Sequence, residues 1–386
     1  MTVPEILRNR MFIVVGEEHY NPLGVVRSLG EEGVFPIAIL KRGGDPLVSR
    51  SRYVGVTHFV DDYAQAAAVL RERYADLDRR PVVIPCDDAF VRELDRDMNF
   101  YLERFIVPNA GGTNRLAPYL EKRVQYELAA KHGLKVAPTW EISGGAIPAD
   151  ISYPVITKPV ESYEGWKDDY HVCRDEAELA DALSQIGAER VLAQRYISKA
   201  NELCVDGFAA DRGRQLFPTI ASRYTYLLPD GYSMEMEISA LDDPDLEERL
   251  AAMYAEIGFE GIFEVEFMVD GDGELWYLET NFRNSTWSYA STCLGMNLPL
   301  LCAEALAAGR VERDVLRTIP RGYRALAELP DFHHRVRRMK MISVPAWIDR
   351  VRTADCLFFY NREDPGPFES VFSSKIRGKV AKAFGK

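Results

Sequence analysis

FEVEFMVDGDGELWYLETNFR, residues 263–283, alternates apolar and polar side chains with the two-residue period of a β-strand. Phe263, Val265, Phe267 and Val269 fall on one face, and Glu264 and Glu266 on the other. Asp272-Gly273 is a strong two-residue hairpin signal. With that pair as the loop, Gly271 opposes Glu274, and counting outward sets Glu266 against Glu279. Like charges opposed in a sheet are destabilising, so the pair calls for a cation or for raised pKa values, and a metal is the simplest answer. Asn281 and Arg283 follow Glu279 in two-residue steps and share its face, giving two carboxylates, an amide oxygen and a guanidinium in one row. All-oxygen ligation suits magnesium, and the arginine suits a phosphoryl or acyl-phosphate group. The competing reading is the exposed polar face of an ordinary antiparallel hairpin, and a register slip of one residue would dissolve the pairing.

Working outward, MFIVV at 11–15 is a short apolar run closed by Gly16, residues 23–33 read as a helix, and FPIAIL follows as a second strand. PVVIP at 81–85 leads into Asp87, Asp88 and another helical stretch, the alternation of a doubly wound parallel sheet. No GxGxxG follows the first strand, so no dinucleotide site is assigned there. EKRVQYELAAKHG at 121–133 reads as a helix ending at a glycine. Strands are expected at VAPTWEI, at PVITKP (154–159, carrying Lys158), at VLAQRYI (191–197), and then at ELCVDGFAA and FPTIA. Helices are expected over 175–187 and near 244–257. The expected organisation is α/β and α+β: a parallel α/β domain over 1–115, two subdomains with antiparallel sheets over 116–200 and 201–310, and a helical, partly basic region over 311–386.

In these residues the chain resembles the ATP-grasp superfamily, whose Glu, then Glu-x-Asn-x-Arg pattern matches Glu266, Glu279, Asn281 and Arg283. The resemblance runs from residue 11 to 310 and implies a pre-grasp domain followed by nucleotide-gripping subdomains, with ATP and Mg2+ as cofactors. It implies that Glu266, Glu279 and Asn281 hold magnesium between the ATP phosphates, and that Lys122 and Lys158 are the paired phosphate-contacting lysines. Arg283 and Lys158 are the implied catalytic cations. Gln194, Arg195, Tyr196 and Ile197 resemble the hinge that receives adenine, and Glu202 the acid that binds the ribose hydroxyls. Two departures stand out. The usual Glu-Lys of the hinge is Gln194-Arg195, and the glycine-rich lid is replaced by ESYEGWKDDYH (161–171), where only Gly165 remains and closure falls to Trp166 and Lys167.

That lid, with NFRNSTWSYASTCLGMNLP at 281–299, most resembles the D-aspartate ligase branch, whose members join an amino acid's activated side-chain carboxylate to an amine of a peptidoglycan precursor. Arg223, Ser288 and Tyr289 are then expected to face substrate, although a serine-rich helix start accounts for the Ser288-Tyr289-Ala290 segment equally well. The implied reaction is amide formation through an acyl phosphate, from a small carboxylate and an amine acceptor. A ligase of free amino acids or another small metabolite, and a noncatalytic nucleotide-binding protein, are the alternatives.

At 386 residues the chain exceeds one hydrophobic core, so two to three domains are expected. A net charge of -12 argues against gripping a nucleic-acid backbone. No leader pattern and no apolar run long enough to span a bilayer are present, which reads as cytoplasmic. The cysteines have no zinc or disulfide spacing and read as buried thiols, and HHRVRRMK (333–340) reads as a solvated helix face. No Ser-His-Asp or Cys-His arrangement is recognisable. The tail SSKIRGKVAKAFGK (373–386) is basic throughout, and on a helix Ile376, Val380 and Phe384 would form one apolar line flanked by cations. It fits peripheral contact with an anionic membrane, or packing on the protein's own acidic surface.

Overall fold

The computed structural model describes residues 3–160, 170–186, 188–228 and 231–371. The lid residues Gly165, Trp166 and Lys167 and the basic tail lie outside the described residues. Phe12–Glu17 (β1), Ile37–Lys41 (β2), Val56–Val60 (β3) and Val82–Pro85 (β4) form a parallel sheet in the order β3-β2-β1-β4. Ile13, Val14 and Val15 are all fully buried, as a parallel strand covered on both faces requires. His19 follows β1, and Asp87 and Asp88 follow β4, so the carboxyl end of this sheet gathers polar residues at one edge. Asp87 caps the helix Asp88–Asp95 by accepting from the Ala89 N–H at 2.8 Å.

Thr139–Ser143 (β5), Val155–Pro159 (β6), Val172–Cys173 (β7) and Arg190–Arg195 (β8) make a small antiparallel sheet ordered β5-β8-β6-β7. It sets Ile156 opposite Gln194 and Lys158 opposite Leu192. The helix Lys122–Lys131 precedes it and ends before Gly133, whose φ of 75° lets the chain turn out of the helix.

The third sheet contains Asn201–Ala210 (β9), Gln215–Tyr224 (β10), Glu235–Ser239 (β11), Gly261–Val269 (β12), Leu275–Asn281 (β13), Tyr323–Leu326 (β14) and Cys356–Leu357 (β15), ordered β13-β12-β9-β10-β11-β14-β15. Leu203, Val205, Phe263, Val265 and Phe267 line one face and pack on Leu250, Met253 and Tyr254 of the helix Pro244–Ile257. The Tyr254 and Phe263 rings lie 4.5 Å apart. Each such side chain contributes roughly 1.5–3 kcal/mol by leaving water, and together they fix which residues point the other way.

The expectation of a helical region after residue 310 is corrected in two respects. Among the described residues, β14 and β15 extend the large sheet, and the run read as a solvated helix face supplies a buried ion. Arg335, in the π-helix Phe332–Arg338, donates to Glu235 at 3.1 Å and to Asp331 at 2.9 Å, and both acids are fully buried. Arg324 and Arg350 also reach Glu235, at 2.8 and 2.7 Å. Burial alone would raise the Glu235 pKa, but these arginines, Arg350 foremost, hold it below the ordinary range. Replacing Glu235 with alanine takes from three clustered guanidinium groups the buried carboxylate they share, so the variant should lose roughly 3–5 kcal/mol in urea unfolding. A loss under about 1 kcal/mol contradicts this account of how the C-terminal segment is held.

Candidate functional site

The acidic hairpin is present, and Glu266 does oppose Glu279, by a different route from the one expected. The turn spans Asp270 to Glu274 rather than Asp272-Gly273 alone: the Asp270 carboxylate accepts from the Asp272 and Glu274 N–H groups, both at 3.0 Å. That shifts the register by one, pairing Phe267 with Tyr277. A bulge at Leu278 shifts it back, so Glu266 meets Glu279 and Glu264 meets Asn281. The Asn281 amide nitrogen donates to Glu264 and to Glu266, each at 3.0 Å, which leaves its oxygen as an acceptor.

A second opposed pair went unread in the sequence. Glu264 faces Asp206 across β12 and β9, and Glu202, Cys204 and Asp206 share the acidic face at two-residue spacing. Burial, then Asp206, pushes the Glu264 carboxyl up to about 8. Burial, then Glu264, Glu279 and Glu202, pushes Glu266 well above its ordinary range. Asp206 is raised to about 6 by burial, against hydrogen bonds from Ser285 and Ser288. One oxygen of Asp206 has no hydrogen-bond partner.

Cations border this face. Gln125 ties the helix Lys122–Lys131 to β13, accepting from the Thr280 N–H at 3.0 Å and donating to the Thr280 carbonyl at 3.0 Å, which places Lys122 3.7 Å from Glu279. Lys158 is buried and donates to the Gln194 side-chain oxygen at 2.6 Å. Burial and Lys122 push Lys158 down to about 7, with Glu279 and Glu266 opposing. Arg283 reaches back to the first sheet, with two nitrogens 3.1 Å from Asp88, and lies 3.7 Å from Glu264. Sequence reading treated Asp88 only as a boundary; its contact with Arg283 joins the N-terminal domain to the row.

Lys122, Lys158, Tyr196, Ile197, Glu202, Glu266 and Glu279 all line one cleft of about 390 Å3, walled by the apolar Ile156, Met268 and Leu278. The bulge residue thus serves the cleft as well as the register. Glu202 accepts from Lys199 and, at 2.6 Å, from the Tyr224 hydroxyl, two partners the sequence did not suggest. Several expected residues are not brought there. The Gln194 side chain is committed to Lys158 and Thr139, and Arg195 points to Ser152 at 3.4 Å. Arg223 pairs with Leu203, on the face opposite the acidic row. Ser288 holds Asp206 at 2.9 Å, whereas the Tyr289 hydroxyl donates to Glu31 at 2.8 Å and its ring packs 6.0 Å from Phe358. Arg283 itself helps to line a separate polar cavity of about 440 Å3, with His19, Asn21, Lys41, Asp87 and Asp88.

These residues fit a divalent cation. Among the described residues no three His, Cys, Asp or Glu side chains converge on one metal point. Ligation would therefore come from Glu266, Glu279 and the Asn281 oxygen, with the remaining positions open to phosphate oxygens, as magnesium prefers. A carboxyl whose folded-state pKa is raised keeps a proton that the unfolded chain releases, so its contribution is full below about pH 4 and is lost as pH rises through the folded value, about 8 for Glu264. The protein should lose stability over that window, and millimolar magnesium should restore more of it at about pH 8 than at about pH 6. Thermal melts of the wild type and Glu266→Gln check this: the magnesium effect should vanish in the variant, and an equal effect in both contradicts the assignment.

No family model matches the sequence, and no curated protein matches it. Solved structures do share its architecture. N5-carboxyaminoimidazole synthetase from Staphylococcus aureus superposes with a TM-score of 0.61 at 14% identity over 86% of each chain. L-amino acid ligase from Bacillus licheniformis gives 0.58 at 14% identity, covering 77% of this chain and 74% of that one. Biotin carboxylase from Campylobacter jejuni gives 0.59 at 17% identity, over 78% and 72%. At such identities the likeness speaks to the fold, and the fold is the ATP-grasp fold: a parallel α/β domain followed by two largely antiparallel sheets whose residues line one cleft.

Proposed function

We propose that this protein is an ATP- and magnesium-dependent ligase that joins a carboxylate to an amine through an acyl phosphate. The observation that carries the reading is the meeting, in one cleft, of the opposed Glu266–Glu279 pair with Lys122 and Lys158. Solved proteins of the same fold include a Staphylococcus aureus N5-carboxyaminoimidazole synthetase complexed with ADP and a Hydrogenobacter thermophilus biotin carboxylase domain in complex with MgADP and bicarbonate. Bound magnesium would neutralise phosphate charge as the γ-phosphoryl group leaves ADP.

The chain's own residues do the rest. Lys122, charged because Glu279 offsets its burial, and Lys158 hold phosphate oxygens. Ile156, Met268 and Leu278 offer an apolar slot to the base, and Glu202 accepts from ribose hydroxyls. Asp88, Glu264, Glu266 and Glu279 keep Arg283 protonated despite its burial, so it presents a fixed cation beside the acidic row and in the wall of the polar cavity. A carboxylate oxygen of the acid attacks the γ-phosphorus and ADP departs; the amine then attacks the acyl carbon and phosphate departs. Arg283 stabilises the negative charge that both steps build.

The cavity lined by Arg283 carries both signs of charge, Lys41 and Arg283 with Asp87 and Asp88, a mixture that suits a zwitterion. This favours an amino acid as one substrate, in keeping with the fold shared with an L-amino acid ligase. The narrower reading, D-aspartate joined to a peptidoglycan precursor, rests only on the sequence resemblance of the lid stretch 161–171 and of residues 281–299.

ADP release measured across D- and L-amino acids with hydroxylamine, which traps an acyl phosphate without the true acceptor, tests the proposal. Acid-dependent ADP release is expected, and D-aspartate as the sole active acid would support the narrower reading. Glu279→Gln should fold, with stability equal to or above wild type because the opposed charge is gone, and lose at least about 100-fold in turnover. ADP release that needs no acid, or a folded Glu279→Gln protein with full turnover, contradicts the mechanism.

A further inference from the structure

Cys293 ends the short helix Tyr289–Cys293, which follows directly on the loop that holds Asp206 through Ser285 and Ser288. Cys356 opens β15, the last strand of the large sheet. Although 63 positions separate them in sequence, their sulfurs lie 2.7 Å apart. Cys293 is exposed and Cys356 is 2% exposed, so one of the pair meets solvent and the other does not. The elements that carry them are already packed: Trp287 and Tyr289 stack edge-on against Phe358, two residues past Cys356, with centroids 5.3 and 6.0 Å away.

We propose that Cys293 and Cys356 are a reversible oxidative modification site, forming a disulfide that staples the C-terminal segment to the loop beside the acidic row. The oxidant is a small-molecule disulfide. The Cys293 thiolate attacks one of its sulfurs, breaking that S–S bond and expelling one thiolate. Cys356 then gives its proton to the expelled thiolate and attacks the Cys293 sulfur, expelling the second half of the oxidant. Two protein thiols are oxidised, and one external disulfide is reduced to two thiols. Exposure makes Cys293 the entry point. Burial, which shields the Cys356 thiol from the oxidant while leaving it beside the Cys293 sulfur, makes Cys356 the resolving partner.

Bond formation needs an approach of under about 1 Å, so the packed elements need not separate. The closed loop is long, and a link across it removes more freedom from the unfolded chain than from the folded one. The small sheet β5–β8 carries none of the linked residues, so the staple constrains the C-terminal segment and the Asp206 loop alone.

The test uses the full chain incubated with oxidised or reduced glutathione, then digested with trypsin and mapped by mass spectrometry without reduction. The expected product joins peptide 284–310 to peptide 353–362, with fragmentation placing the link at Cys293 rather than at Cys302 in the same peptide. The melting temperature should rise by about 3 °C or more and return with dithiothreitol. Cys293→Ser, at an exposed position, should melt like the reduced wild type and show no rise with oxidised glutathione. Glutathione attached to Cys293 without a joined peptide, a link through Cys302, or a joined peptide with an unchanged melting temperature overturns the proposal.

Discussion

Carboxylates crowd one face of β9, β12 and β13, and the opposite face leaves them nowhere else to go. Phe263, Val265 and Phe267 bury fully against the helix Pro244–Ile257, and strand alternation then drives Glu264 and Glu266 to the other side, toward Asp206 and Glu279. Apolar burial worth several kcal/mol outweighs repulsion between partly screened acids, so the sheet forms and the acids stay charged only in part. That unresolved repulsion is what makes the face receptive to a cation.

The surrounding structure reads as a set of responses to that face. Gln125 fixes the Lys122 helix to β13, Gln194 fixes Lys158 on β6, and Tyr224 with Lys199 engages Glu202. The N-terminal domain joins in through Asp88, which grips Arg283 from the carboxyl end of the parallel sheet. Arg283 therefore stands where the N-terminal domain meets the acidic row, in the wall of the charged cavity.

The strand periods were legible in the sequence, because alternation and short apolar runs are local properties: the acidic hairpin, the parallel opening and the lysine-bearing strand all follow from them. The Glu266–Glu279 pairing was also legible, but only because two offsets cancel. The Asp270 side chain builds a longer turn than Asp272-Gly273 suggests, and the Leu278 bulge restores the count. The Glu264–Asp206 pair was not legible, since no turn links β9 directly to β12 and register between distant strands is set by packing. Arg223 illustrates the same limit: a register shift between Pro218 and Ile220 helps decide which face it occupies. Arg335 looked like a surface charge because its partner Glu235 lies 100 residues away.

The central claim is that Glu266, Glu279 and Asn281 hold a metal against the phosphates of a nucleotide lying in the cleft. Crystals grown with a non-hydrolysable ATP analogue and manganese in place of magnesium test it directly, because manganese gives an anomalous signal that marks its position. The account predicts an anomalous peak within ligand distance of both carboxylates and the Asn281 oxygen, about 2.0–2.3 Å, bridged to phosphate oxygens. Its base should lie between Ile156, Met268 and Leu278. A nucleotide bound elsewhere, or one bound in the cleft with manganese away from Glu266 and Glu279, would contradict it.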